Sequence, residues 1–278
     1  MLQLTAVAML AFAGNSLLCR LALRAAHIDA ASFTSVRLVS GAVTLWLLVG
    51  LRGGAARLAG SWGSAAALFA YAIAFSYAYV SLPASTGALL LFGAVQVTMV
   101  GTGLWRGERL SALQWTGLLL AAAGLVALLL PGLAAPPPGG AALMIAAGVA
   151  WGAYSLRGRG AGDPTASTAG NFVRSLAFVA PLTLLSLRDA TADAAGVGYA
   201  IASGAVTSGI GYAIWYRALP GLRATSAAAA QLSVPVIAAF GAVLLLGEPI
   251  TQRLALSSLA VLGGIAIVLF IRPAPRGR

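Results

Sequence analysis

At 278 residues, 60% hydrophobic and only 8% charged, this chain is too apolar for a soluble core, where roughly a quarter of residues carry charge. Its mean hydropathy of +0.94 makes a bilayer its solvent. The net charge of +11 comes from 17 arginines scattered between apolar runs, which argues against a nucleic-acid face, and the lack of lysine excludes a Schiff base.

Taken in chain order, the apolar runs predict ten membrane helices: 2–24, 30–51, 63–81, 84–105, 111–130, 140–157, 165–187, 195–217, 223–246 and 252–271. No arginine precedes the first run, so it is expected to be a retained helix and not a cleaved signal. Pro83 and Pro220 end the third and eighth helices with short turns. Ser111 and Gln114 have the spacing of a capping box at the start of the fifth. The Pro-rich stretch 131–140 is expected to be a non-helical seam. Single residues Cys19 and His27 leave no disulfide framework and no His/Cys metal cluster, so neither metal nor cofactor is expected.

A pattern is written twice. Tyr79, Leu82, Pro83, small residues, an apolar run and Gly107-Glu108 return as Tyr216, Leu219, Pro220, small residues, an apolar run and Gly247-Glu248. Upstream, Phe12-Ala13-Gly14-Asn15 matches Trp151-Gly152-Ala153-Tyr154; downstream, Ala123-Gly124 matches Gly263-Gly264. The chain therefore reads as two units, 1–131 and 132–278. Each unit holds five helices, an odd number, so the second should enter the membrane from the opposite face. That predicts an all-α membrane protein of two inverted five-helix repeats around a central cavity, the plan of an alternating-access carrier. With an inside N-terminus, four arginines (Arg20, Arg24, Arg188, Arg253) fall outside and eleven inside, while Arg37 and Arg174 lie within helices. The bias puts both termini in the cytoplasm.

These features resemble the drug/metabolite transporter superfamily in its ten-helix form with paired EamA domains. The resemblance rests on Phe12-Ala13-Gly14 and Trp151-Gly152-Ala153, on Arg37 and Arg174 in the second helix of each half, and on Gly107-Glu108 and Gly247-Glu248-Pro249. Overall the chain looks most like aromatic amino acid exporters of the YddG type. The resemblance implies a basket of ten helices in a bacterial inner membrane and export of amino acids from the cytoplasm, by a chain that functions as a monomer.

Two kinds of side chain are candidates to meet such a substrate. Aromatic rings can stack on a flat side chain or attract a cation. Phe75, Tyr212, Trp215, Trp151 and Tyr154 are the candidates, with packing in the bundle as the alternative. Tyr79 and Tyr216, near helix ends, are expected in the interfacial belt. Buried amides are costly to leave unpaired, so Asn15, Gln96 and Gln231 could hold a carboxylate or ammonium, or join helices. Arg37 and Arg174 are expected to anchor helix ends through backbone carbonyls, ahead of binding a substrate carboxylate, and Pro83 and Pro220 to shape the gates. Glu108 and Glu248 read as turn residues.

No His pair, acidic pair or activated serine forms a catalytic constellation, so an enzyme is not expected. Small multidrug carriers of the same superfamily hold a carboxylate in the first helix, where this chain has Asn15 and Tyr154. Efflux of lipophilic cations or other metabolites is the alternative to amino acid export, with the missing carboxylate counting against proton-coupled cation export. No Asp, Glu or His lies inside any predicted span, which points to a facilitator without proton coupling.

Overall fold

The computed structural model describes residues 2–51, 59–107, 110–130, 132, 135–158, 162–218 and 230–270. Among them are ten helices: α1 Leu2–Arg24, α2 Ala30–Gly50, α3 Trp62–Ser81, α4 Ala84–Trp105, α5 Ala112–Leu129, α6 Pro138–Gly158, α7 Pro164–Ser186, α8 Ala194–Ala218, α9 Ser233–Leu246 and α10 Gln252–Phe270. Eight are long and apolar enough to cross a bilayer; α9 and the Gln252–Val268 stretch of α10 are shorter apolar helices. The protein is an all-α, multi-span membrane protein. The expected start of α9 at 223, along with Pro220 and Glu108, lies outside the described residues.

The helix starts follow local chemistry. Asp29, Asp163 and Asp193 each accept backbone N–H bonds at the first turn of α2, α7 and α8. Ser111 and Gln114 form the predicted capping box on α5. One expectation fails at the seam: α6 begins at Pro138, inside the stretch expected to be non-helical. A proline in the first turn lacks only an N–H that would be unpaired there anyway. Gly247 closes α9 in the left-handed region at φ 61°, where a side chain would be strained.

Helices alternate in direction. The C-terminal ends of α1, α3 and α9 meet the start of α4 on one face, where Arg20 bonds the Tyr79 and Val80 carbonyls and Arg24 the Leu246 carbonyl. On the opposite face Gln114 of α5 bonds the Val268 carbonyl of α10. Packing crosses the seam throughout: α2 lies on α7, α5 on α10 and α4 on α9; α3 packs on α6 as α8 packs on α1. Small residues permit this. A Cβ on Gly117 would stand 2.6 Å from the Gly264 carbonyl, and one on Gly204 would stand 2.1 Å from that of Arg37. Such contact suits helices in lipid, where close backbone approach replaces the hydrophobic drive.

Candidate functional site

The site grows from helix periodicity. Tyr71, Phe75 and Tyr79 are spaced by four on α3, so their rings run along one face, with centroids 5.3 and 4.7 Å apart. Trp151 of α6 comes to that face, 4.9 Å from Tyr71, and also lies 5.0 Å from Tyr212 of α8. Tyr154 stacks on Trp151 at 5.4 Å, and Trp215 meets Phe12 edge-on at 5.9 Å. Rings from α1, α3, α6 and α8 therefore form one cluster.

A cavity sits inside this cluster, lined by Phe12, Asn15, Ser16, Tyr71, Phe75, Leu91, Phe92, Trp151 and Tyr212. The space open to the centre of a water-sized sphere is about 20 Å³, room for a water and not for an amino acid. The captured state is closed around its centre. A wider cavity of about 430 Å³ opens on the face that carries Arg20, Arg24, Pro83, Glu248 and Thr251.

The polar groups at the centre form a chain. Asn15 Nδ2 donates to the Tyr71 hydroxyl at 3.1 Å, and Asn15 Oδ1 accepts from Ser203 at 2.6 Å and Thr207 at 3.3 Å. Ser203 and Thr207 lie on the stretch Ala202–Ile210, where α8 widens into π-helix. Such widened turns re-aim side chains and recur at functional sites. Arg37 joins from α2: Nη2 donates to Tyr71 at 3.0 Å, and Nε reaches Ser208 at 3.4 Å. Its guanidinium lies 5.1 Å from the Tyr71 ring centre and 5.0 Å from that of Phe75.

Arg37 is 1% exposed and bonds no backbone carbonyl among the described residues, unlike the helix-end anchor expected from the sequence. Arg174 does act as such an anchor, donating to the Gly170 carbonyl at 3.0 Å and the Ala59 carbonyl at 2.6 Å. It belongs to a polar closure of the far face. There Asn171 accepts from the Ser61 N–H at 2.9 Å and Arg157 reaches Ser64 at 3.4 Å.

Of the sequence candidates, Asn15, Phe75, Trp151 and Tyr212 line the cavity, and Tyr154 and Trp215 stand one ring behind it. Gln96 does not line it; it borders a separate void with Gly93, Leu118, Leu125 and Val261, between α4, α5 and α10. A place inside a predicted span fixes the depth of Gln96 but not its direction around the helix. Leu91 and Gln96 are five residues apart, about 140° around a helix. Gln231 is half-buried just before α9 and is absent from the lining. Pro83 caps α4, its carbonyl accepting from Gly87 at 2.9 Å, and borders the wide cavity.

Tyr79 is fully buried, with its hydroxyl on the Ala84 carbonyl at 3.3 Å, and is no belt residue. Glu248 is more than a turn residue. It pairs with Arg20 at 3.3 Å and accepts from the Ala84 N–H at 2.8 Å, tying the α9–α10 turn to α1 and α4. Tyr71, Arg37 and Ser208 are the central residues that sequence reasoning undervalued. Arg37 bonds both Tyr71 and Ser208, and its place inside a predicted span was the signal that could have found them.

Two faces of loop chemistry complete the picture. The α1–α2 and α7–α8 turns pair through Asp29 N to Thr191 O at 2.9 Å and Asp193 N to His27 O at 2.8 Å. His27 meets Asp193 at 2.7 Å. The Gly196 N–H, then the His27 hydrogen bond, hold the Asp193 carboxyl below its usual range. Burial pushes Asp29 up, but bonds from Ser32, Thr191 and Ala31 together outweigh it and its carboxyl is lowered.

Comparison with known proteins agrees with this architecture. The sequence profile of the EamA-like transporter family matches residues 138–270. An uncharacterized protein of Pseudomonas aeruginosa is 60% identical over 276 residues, covering 99% of this chain and 95% of its own length. A solved crystal structure superposes with a TM-score of 0.64 over 95% of this chain and 97% of its own; at 20% identity it speaks for the fold alone. No group of three metal-binding side chains occurs among the described residues. With the family profile across one half and a relative matched from end to end, the chain belongs to the EamA-like transporter family, and it is a small-molecule membrane transporter, not an enzyme.

Proposed function

We propose that this protein exports amino acids, aromatic ones included, from the bacterial cytoplasm by alternating access, as a facilitator. The observation that carries the reading is the cavity where the two halves meet. Aromatic walls from α1, α3, α6 and α8 surround the amide of Asn15, an arrangement suited to a flat side chain with a polar end. This is the chemistry handled by the YddG-type exporters that the sequence resembles.

Two units, 1–131 and 132–278, inverted in the membrane with both termini inside, give the two gates this mechanism needs. The exchange of packing partners between halves supports that plan. One gate is the Arg20–Glu248 tie; the other is the closure by Arg157, Asn171 and Arg174. The chain works as a monomer in this reading, which is supported by a cavity lining drawn, among the described residues, from one chain. None of the ten membrane helices α1–α10 carries Asp, Glu or His within its described bounds, which supports a facilitator. Lipophilic cations are disfavoured by Arg37, whose positive charge sits against the cavity rings.

Reconstituted protein tests the reading. Radiolabelled phenylalanine should equilibrate across liposomes without an imposed gradient and should not accumulate further when a pH gradient is applied. Cells expressing the chain should release more phenylalanine and tolerate toxic analogues. An unchanged permeability in both settings, with protein confirmed in the membrane, refutes amino acid export; accumulation driven by pH refutes the facilitator.

A further inference from the structure

We infer that Arg37 is a carboxylate subsite, left incomplete in the closed state and completed by the anionic end of the substrate. The inference rests on the carrier reading of the central cavity and adds the chemical feature that substrates must carry. A charge at mid-membrane is costly unless it is paired or hydrated. Arg37 is 1% exposed and makes no ion pair among the described residues. Its partners are neutral: the Tyr71 and Ser208 hydroxyls and two aromatic faces. Its Nη1 is buried and has no hydrogen-bond partner. A guanidinium that served only to join helices would reach carbonyls, as Arg174 does.

The position fits a ligand. Tyr71 and Phe75, which cover Arg37, also line the cavity, so one layer of rings separates the cation from the transported molecule. The cavity must enlarge to admit any amino acid, because its present space suits a water only. Displacing the Tyr71 ring exposes Nη1 and Nη2 together, a planar fork that matches the two oxygens of a carboxylate. Asn15, released from Tyr71, then faces the other end of the ligand. The ring cluster takes the side chain. A small carboxylate with an aromatic or apolar body satisfies every group; an amine without a carboxylate leaves the guanidinium unpaired.

Purified full-length protein tests this with four probes and thermal-shift and tryptophan-fluorescence titrations. L-Phenylalanine carries both charges, 3-phenylpropionate only the carboxylate, and L-phenylalaninamide and 2-phenylethylamine only the ammonium. The first two should bind at least ten-fold more tightly than the last two. Arg37→Gln should lower affinity for 3-phenylpropionate at least ten-fold, leave phenylalaninamide unchanged, and melt no lower than wild type. Arg37→Lys should fall between, since it keeps the charge and loses the fork. Failure of either carboxylate to bind wild type, equal binding of all four probes, or full carboxylate affinity in Arg37→Gln overturns the inference. If Arg37→Gln does not fold, the wild-type probe order and Arg37→Lys decide it. Arg37-dependent binding of 3-phenylpropionate without phenylalanine export would sink amino acid export and leave the subsite standing. Phenylalanine export with equal binding of phenylalaninamide would do the reverse.

Discussion

Arg37 of α2 and Arg174 of α7, matched in the sequence pattern, meet opposite surroundings. Arg174 sits where a loop carbonyl can reach it and ties α7 to the segment before α3. Arg37 sits under the aromatic cluster with one nitrogen unsatisfied. Asn15 and Tyr154 are a second such pair. Asn15 organises hydroxyls of α3 and α8 at the centre, whereas the Tyr154 hydroxyl is 3.5 Å from Asn171, part of the far closure. Asn15 thus serves the polar centre, with Ser203 and Thr207 of α8, and Tyr154 serves the far face, while the cavity rings come from α1, α3, α4, α6 and α8 alike. Side chains at matching places in a twice-written sequence pattern are free to take different partners, so the pattern by itself does not assign their roles.

Breaking the backbone contact beneath Arg37 should have the largest effect. Gly204→Val puts a Cβ 2.0 Å from Ser40 Oγ and 2.1 Å from the Arg37 carbonyl, between two packed helices. No monodisperse protein should be recovered on size-exclusion chromatography. Gly170→Ala meets the Ala59 carbonyl at 1.8 Å, but a loop can shift where a helix cannot. Its protein should be recoverable, at a cost of about 1–3 kcal/mol.

Next comes the amide pair. Asn15→Ala takes the acceptor from the buried Ser203 hydroxyl and one bond each from Tyr71 and Thr207, which keep Arg37 and the Ser203 carbonyl as partners, a loss of about 1–3 kcal/mol. If that falls on the substrate-loaded state, phenylalanine flux drops by roughly ten- to a hundred-fold. Tyr154→Phe should lower flux by less than about three-fold, since its hydroxyl lies behind the cavity and the bond it accepts from Asn171 is long. Equal losses in the two variants would erase the proposed division of labour.

Smaller effects sharpen the contrast. Arg174→Ala should cost about 1 kcal/mol in denaturant unfolding and leave probe affinity unchanged. Gln96→Leu should be stabilising or neutral, because its buried Nε2 lacks a partner and its surroundings are apolar. A large loss of transport in Gln96→Leu would return that amide to the site.

The smallest effect belongs to the loops. Asp29→Asn should cost about 1 kcal/mol through its weakened cap and its bond to Thr191. The Asp29 carboxyl is lowered, so its contribution is present above its unfolded value near ~4 and is lost as pH falls through the lowered one. The gap between wild type and variant should be constant from pH 7 to about 4 and close below it. A gap that changes between pH 6 and 7 would assign the effect to another group.

The ten helices were legible because each apolar run is long and the bilayer leaves helix as the main solution for its backbone. The capping box of Ser111 and Gln114 was fixed by chemistry within three residues. The aromatic and amide residue types were legible too, as side chains unusual in lipid. What sequence depth could not decide was direction around each helix. Asn15 and Gln96 were equal candidates, yet one faces the centre and the other the α5–α10 packing. The partner of Arg37 and the Arg20–Glu248 tie span long sequence separations, and no local pattern encodes them. Residue type and period set which groups must be buried; only the packing of ten helices set which buried groups meet, because azimuth and pairing depend on every neighbour at once.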